Sequence, residues 1–154
     1  MVDMEFLAEL HHKIIHFPIA LLFIYPFIEA VSLFYKKEFF SFTSLIILLI
    51  GVVGSLAAVL TGNQALNSIK NWTPELYQLA DTHYTNANIV VWLFTVVMFL
   101  RIYLQIKKKY QGKWKIILLI LAFIGSYFVY QTGEYGGKTA HKRISNVISK
   151  EQSN

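Results

Sequence analysis

Five histidines carry most of the chemistry this sequence could do: His11, His12, His16, His83 and His141. Imidazole suits both haem iron and borderline transition metals, and it titrates near neutrality. His12 and His16 are spaced i, i+4, so a helix through both would put the two rings on one face. His16 and His83 each open a long apolar run and therefore enter an apolar layer at matching depth. Two imidazoles from facing helices at one depth are the donor set of a b-type haem. Asp81 lies just before His83, and Glu134 and Tyr135 follow the last apolar run, upstream of His141. Such groups accept the second ring N–H of a ligating histidine and fix its tautomer. The same residues, two or three histidines with a carboxylate, would also suit a bare copper or zinc ion. The plainer alternative is a set of interfacial histidines that hydrogen-bond backbone and water.

The elements that must position these residues follow from composition. The chain has 154 residues, 55% apolar, 16% aromatic and 15% charged, with a net charge of +5. Mean hydropathy is +0.47. An average soluble domain carries about 25% charge, so this composition argues against both disorder and a lone soluble domain. No cysteine is present, which excludes disulfides, thiolate metal sites and covalent c-type haem. A membrane helix needs about 20 mostly apolar residues. Four stretches qualify, at about 14–34, 40–61, 83–104 and 116–132. They are continuous rather than alternating, which excludes a transmembrane barrel. The expected fold is an all-α, antiparallel four-helix membrane bundle. Residues 1–143 form the membrane domain and 144–154 a polar tail. No internal repeat is evident, and the acidic start (Asp3, Glu5, Glu9) does not read as a cleavable signal peptide.

Orientation follows from lysine and arginine near the span ends. Lys36, Lys37, Lys107, Lys108, Lys109, Lys113 and Lys115 fall in the two short loops, and Arg101 can snorkel towards them. The expected topology puts those loops in the cytoplasm and both termini outside. All five histidines then lie at the outer ends of the spans. The positive charge reads as a topology signal, and no nucleic-acid motif accompanies it.

Within the spans, Glu29 must have a partner or a function, because burying it in lipid costs at least ~2.5 kcal/mol. Arg101 lies at a similar level, so a Glu29–Arg101 pair is expected; the functional alternative is a site for a proton or a quinone head group. Pro26, one turn earlier, frees a backbone carbonyl. Gly54, Ala58 and Gly62 recur at four-residue spacing, which lets a backbone or a flat cofactor approach closely. Gly133, Gly136 and Gly137 suggest a helix end. Pro18 argues against a helix starting far upstream of His16. Thr73-Pro74-Glu75 predicts a separate short amphipathic helix, capped by threonine, with Trp72 and Tyr77 at headgroup level. No nucleotide loop, serine elbow, metalloprotease helix or charge-lined pore is present.

The stretch Leu10-His11-His12, followed by His16-Phe17-Pro18-Ile19-Ala20-Leu21, resembles the opening of a bacterial family of predicted four-span membrane proteins called domain of unknown function 2231. The resemblance extends over roughly residues 10–143, through Glu29, Thr61-Gly62, His83 with Asn86 or Asn88, Arg101, Gly136-Gly137 and His141. His12 stands where the family usually has proline, and Ala65 where aspartate is frequent. The stretch after Gly137 lacks the family's His-Gly pair. The family carries no established reaction. Its members occur beside or fused to Rieske and cytochrome modules, which implies an electron-transfer setting.

Together these features give one expectation: a multi-pass protein of the bacterial inner membrane that holds heme b between His16 and His83. His11 or His12 would assist, with Asp81, Glu134, Tyr135 and His141 in support. It would act as a redox subunit rather than a free-standing enzyme. Its partners would be the lipid bilayer, an extracytoplasmic cytochrome or a Rieske-type protein; a homo-oligomer stays open. The alternatives are a cofactor-free scaffold or anchor subunit, and an outward-facing copper or zinc site.

Overall fold

The computed structural model describes residues 10–35, 38–69 and 71–151, and these form four long helices with no strand among them. They are α1 (His16–Phe34), α2 (Glu38–Asn67), α3 (Pro74–Ile106) and α4 (Lys113–Glu151). Each is long and apolar enough to cross a membrane. Apolar residues cover both the inner and the outer faces, as expected of helices in lipid. Trp92, Phe99, Ile120 and Tyr127 lie exposed on the outside, while Leu22, Tyr25, Leu48, Val52, Phe94, Val97, Ala122 and Val129 fill the centre. The acidic start (Asp3, Glu5, Glu9) and the loop lysines Lys36 and Lys37 lie outside the described residues.

Several local expectations change. A helical turn over residues 10–14 precedes α1, with Ile15 itself in the helical region. Pro18 interrupts the hydrogen-bond ladder here by lacking an N–H, but it does not stop the chain from turning upstream. His11 is thereby placed on a helical turn. Thr73 does cap a helix, accepting from Leu76 N with Pro74 at the first position. That helix is α3 itself, not a separate short one, because no breaker stands between Glu75 and His83. The glycines from Gly133 to Gly137 do not end the last span. None has positive φ, and α4 runs on through them and past residue 143. Each costs up to about 1 kcal/mol of helix propensity. The Glu134–Lys138 pair, 2.6 Å apart, spans the same turn. Beyond it, Lys142 pairs with Glu75 at 2.5 Å, tying the end of α4 to the start of α3.

The helices run up, down, up and down. Contacts are densest within the hairpins α1–α2 and α3–α4, and the hairpins meet along the α1–α4 and α2–α3 seams. These hairpins are two copies of one pattern. The buried face of α1 holds Pro18, Leu22, Tyr25, Glu29 and Ser32. One constant offset carries these onto Val90, Phe94, Val97, Arg101 and Leu104, all buried in α3, and carries His11 onto His83. An offset one residue shorter carries Ser44, Leu48, Gly54, Ser55, Thr61 and Gly62 onto Lys115, Leu119, Gly125, Ser126, Thr132 and Gly133. The missing residue falls in the turn. The sequence reading of no internal repeat is therefore corrected. Interchangeable apolar residues hide the repeat, and only the spaced small and polar positions preserve it. Because the copies run parallel, a rotation about the bundle axis relates them.

Candidate functional site

Counting about 20 residues inward from Phe34, Glu38, Ile106 and Lys113 crosses one hydrocarbon layer. That count ends near Ile15, Ala57, Ala87 and Thr132. The histidine layer thus sits at one edge of the membrane, and Glu29 and Arg101 sit just inside the other.

At the histidine end, His83 Nδ1 donates to the backbone carbonyl of Thr132 at 2.9 Å. A carbonyl only accepts, so the proton is on Nδ1, and Nε2 of the neutral ring carries the free lone pair. His11 Nδ1 lies 3.1 Å from Thr61 Oγ1. The Thr61 hydroxyl already donates to the carbonyls of Ala57 and Ala58, at 3.0 and 3.1 Å. With that hydrogen on a carbonyl, His11 Nδ1–H is the donor and Nε2 the unprotonated nitrogen; the ring also lies against the Ala58 carbonyl. Each ring packs over a glycine of its own hairpin. A Cβ at Gly62 would lie 3.0 Å from His11 Cε1, and one at Gly136 would lie 3.1 Å from His83 Cε1. His11 and His83 are near enough for their charged forms to act on each other.

The other histidines stand apart. His16 occupies the first position of α1 and is exposed, with no polar or ring contact of its side chain among the described residues. His12 is exposed and meets His11 edge-on, with ring centroids 6.0 Å apart. His141 and Asp81 are exposed. Glu134 is held by Lys138, and the Tyr135 ring lies 5.0 Å from the same ammonium. Among the described residues, none of those expected in support hydrogen-bonds to His83. Thr132 and Thr61 take that role, and the repeated Thr-Gly of the two hairpins was the signal for them. No group of three or more metal-ligating residues is gathered among the described residues.

At the opposite end, Arg101 and Glu29 are both fully buried, with Nη1 and Oε2 2.5 Å apart. Arg101 also donates to the Tyr25 hydroxyl at 3.0 Å, to the Ser41 carbonyl at 2.7 Å and to Ser44 Oγ at 2.9 Å. Glu29 accepts from Ser44 at 2.6 Å, Ser32 at 3.1 Å and Tyr110 at 2.6 Å. Lys115 Nζ lies 3.6 Å from Glu29 Oε1 and donates to the Ser32 carbonyl at 3.1 Å. All four helices and the α3–α4 turn meet here. Tyr110 comes from that turn, where Lys108 and Gly112 take positive φ. Burial pushes the Tyr110 hydroxyl well above the ordinary tyrosine range, so it stays protonated and donates. Its ring lies 4.8 Å from the Arg101 guanidinium carbon. Every polar atom of the pair except Arg101 Nε has a partner here, which suits a structural ion pair. Sequence reasoning named Glu29 and Arg101 but missed Ser44, Tyr110 and Lys115, which lie far away along the chain.

The family model described as "Predicted membrane protein (DUF2231)" matches residues 8–146. No curated protein and no solved structure matches the chain.

Proposed function

The chain belongs to the family of predicted membrane proteins called domain of unknown function 2231, and we propose that it is a b-type cytochrome-like electron-transfer subunit. Its heme b would be held through Nε2 of His83 and of His11. The observation that carries this reading is the matched pair of tautomers, with each Nδ1–H spent on its own hairpin's threonine. A histidine that ligates iron through Nε2 characteristically donates its other N–H to such an acceptor. The donor types suit the group, with His11 in place of His16 as the partner of His83. When bound, the cofactor would supply a one-electron iron couple. The chain's own part is to fix the two rings: the Thr132 carbonyl and Thr61 hydroxyl hold their orientation, and Gly62 and Gly136 leave room for them.

The lysines of the α3–α4 turn, Lys107, Lys108 and Lys109, with Lys113 beside it, favour the cytoplasm for the charged end. The histidine end then faces outward in a bacterial inner membrane, within reach of an extracytoplasmic cytochrome or a Rieske-type partner. Protein expressed with haem supplied and purified in mild detergent should show a Soret band that shifts on reduction. A folded, colourless preparation overturns the haem reading and leaves the cofactor-free scaffold.

A further inference from the structure

In lipid, apolar faces do not select one another strongly, because the surrounding tails are equally apolar. The two hairpins present nearly interchangeable apolar faces, with Leu22 answering to Phe94 and Leu48 to Leu119. Something else must make hairpin α1–α2 pair with hairpin α3–α4, rather than with the same hairpin of a second chain. Among the described residues on the seam between the two copies, one pair of equivalent positions has diverged into opposite charges and its neighbours into neutral against positive. Glu29 answers to Arg101, and Ser44 answers to Lys115. All four meet in one buried cluster. Two α1–α2 hairpins brought together would bury Glu29 against Glu29. Two α3–α4 hairpins would bury Arg101 against Arg101, with two copies of Lys115 beside them.

We propose that the Glu29–Arg101 pair, with Ser44 and Lys115, is the recognition element that directs each hairpin onto the unlike hairpin and away from its own kind. The surface it governs is the inner face of each hairpin, and the partner that surface accepts is a second hairpin of opposite buried charge. Within one chain that partner is already tethered by the short connection between Asn67 and Pro74. A second copy of the chain can supply it only by exchanging hairpins, a low-cost route between identical folds.

The test uses full-length chains carrying two different tags, expressed in pairs and recovered through one tag in mild detergent. An E29R chain has an arginine on both hairpins and an R101E chain has a carboxylate on both, only one of them beside Lys115, so neither satisfies itself. Expressed together they should exchange hairpins and co-purify as a dimer. Recovery of the second tag should be at least about tenfold above that of the wild-type pair, or of either variant with itself; like charges buried together disfavour those pairings. Recovery of the mixed pair no greater than the wild-type pair overturns the proposal. A second variant carries E29R, R101E, S44K and K115S together, which transposes the cluster between the copies. It should give a monodisperse monomer. Its aggregation would overturn the equivalence of the four positions.

Discussion

At one end of the bundle, equivalent positions of the two hairpins hold like residues: His11 with His83 and Thr61 with Thr132. At the other end they hold unlike ones: Glu29 with Arg101 and Ser44 with Lys115. The like end spends each Nδ1 on a threonine of its own hairpin. The unlike end satisfies its carboxylate several times over. One duplicated frame therefore yields two kinds of site. Where the copies stay alike, each contributes one histidine to the site proposed for a third group. Where they diverge, they complete each other and close.

The largest expected effect lies at the closed end. Arg101→Leu leaves Glu29 buried without its main partner, and breaking a buried pair this way costs about 3–5 kcal/mol. Thermal unfolding in detergent should show a marked loss, or no folded protein should be recovered. Stability near wild type would mean that the two ends do not differ as described.

Tyr110→Phe is a gentler cut at the same end. It removes one hydrogen bond to a charged acceptor, worth about 1.5–3 kcal/mol. It also gives a pH signature. A hydroxyl held above its ordinary range contributes stability that is fully present at neutral pH. That contribution declines only as pH rises beyond the range where tyrosine ionises in the unfolded chain. Wild type should therefore lose stability in strong alkali more steeply than Tyr110→Phe does, as read by unfolding at a series of pH values.

The open end should respond less, and evenly. His11→Ala and His83→Ala each remove one neutral hydrogen bond, so each should cost about 0.5–1.5 kcal/mol in cofactor-free protein. The two costs should be of similar size, because each ring makes one such bond to a threonine of its own hairpin; calorimetry of both variants checks this. Smallest of all should be Gly62→Ala and Gly136→Ala. Each puts a Cβ 3.0–3.1 Å from an imidazole carbon, and each half-buried ring can shift by a few tenths of an ångström. The crowding is offset by the roughly 1 kcal/mol of helix propensity that alanine gains over glycine, so the net change should be small, and any disturbance should appear in the histidine NMR resonances.

Much of this was legible in the sequence. Apolar runs fix four membrane helices, and a lone carboxylate and a lone guanidinium at similar depth find each other. Helix ends were less legible. Glycine near a polar boundary usually stops a helix, yet at Gly136 it gives His83 room instead. His16 opens the most recognisable motif, but a ring at the first position of α1 can turn outward, while His11 one turn earlier meets Thr61. Tyr110 was invisible as a partner of Glu29, since only the backbone path of the turn brings them together.

The central proposal is that His11 and His83, and not His16, would offer Nε2 to one shared iron. Visible spectra of H11A, H16A and H83A chains, each prepared with haem supplied, test it most directly. The Soret band of the wild-type preparation should persist in H16A and be lost or strongly altered in both H11A and H83A. Loss in H16A, with H11A unchanged, would contradict it.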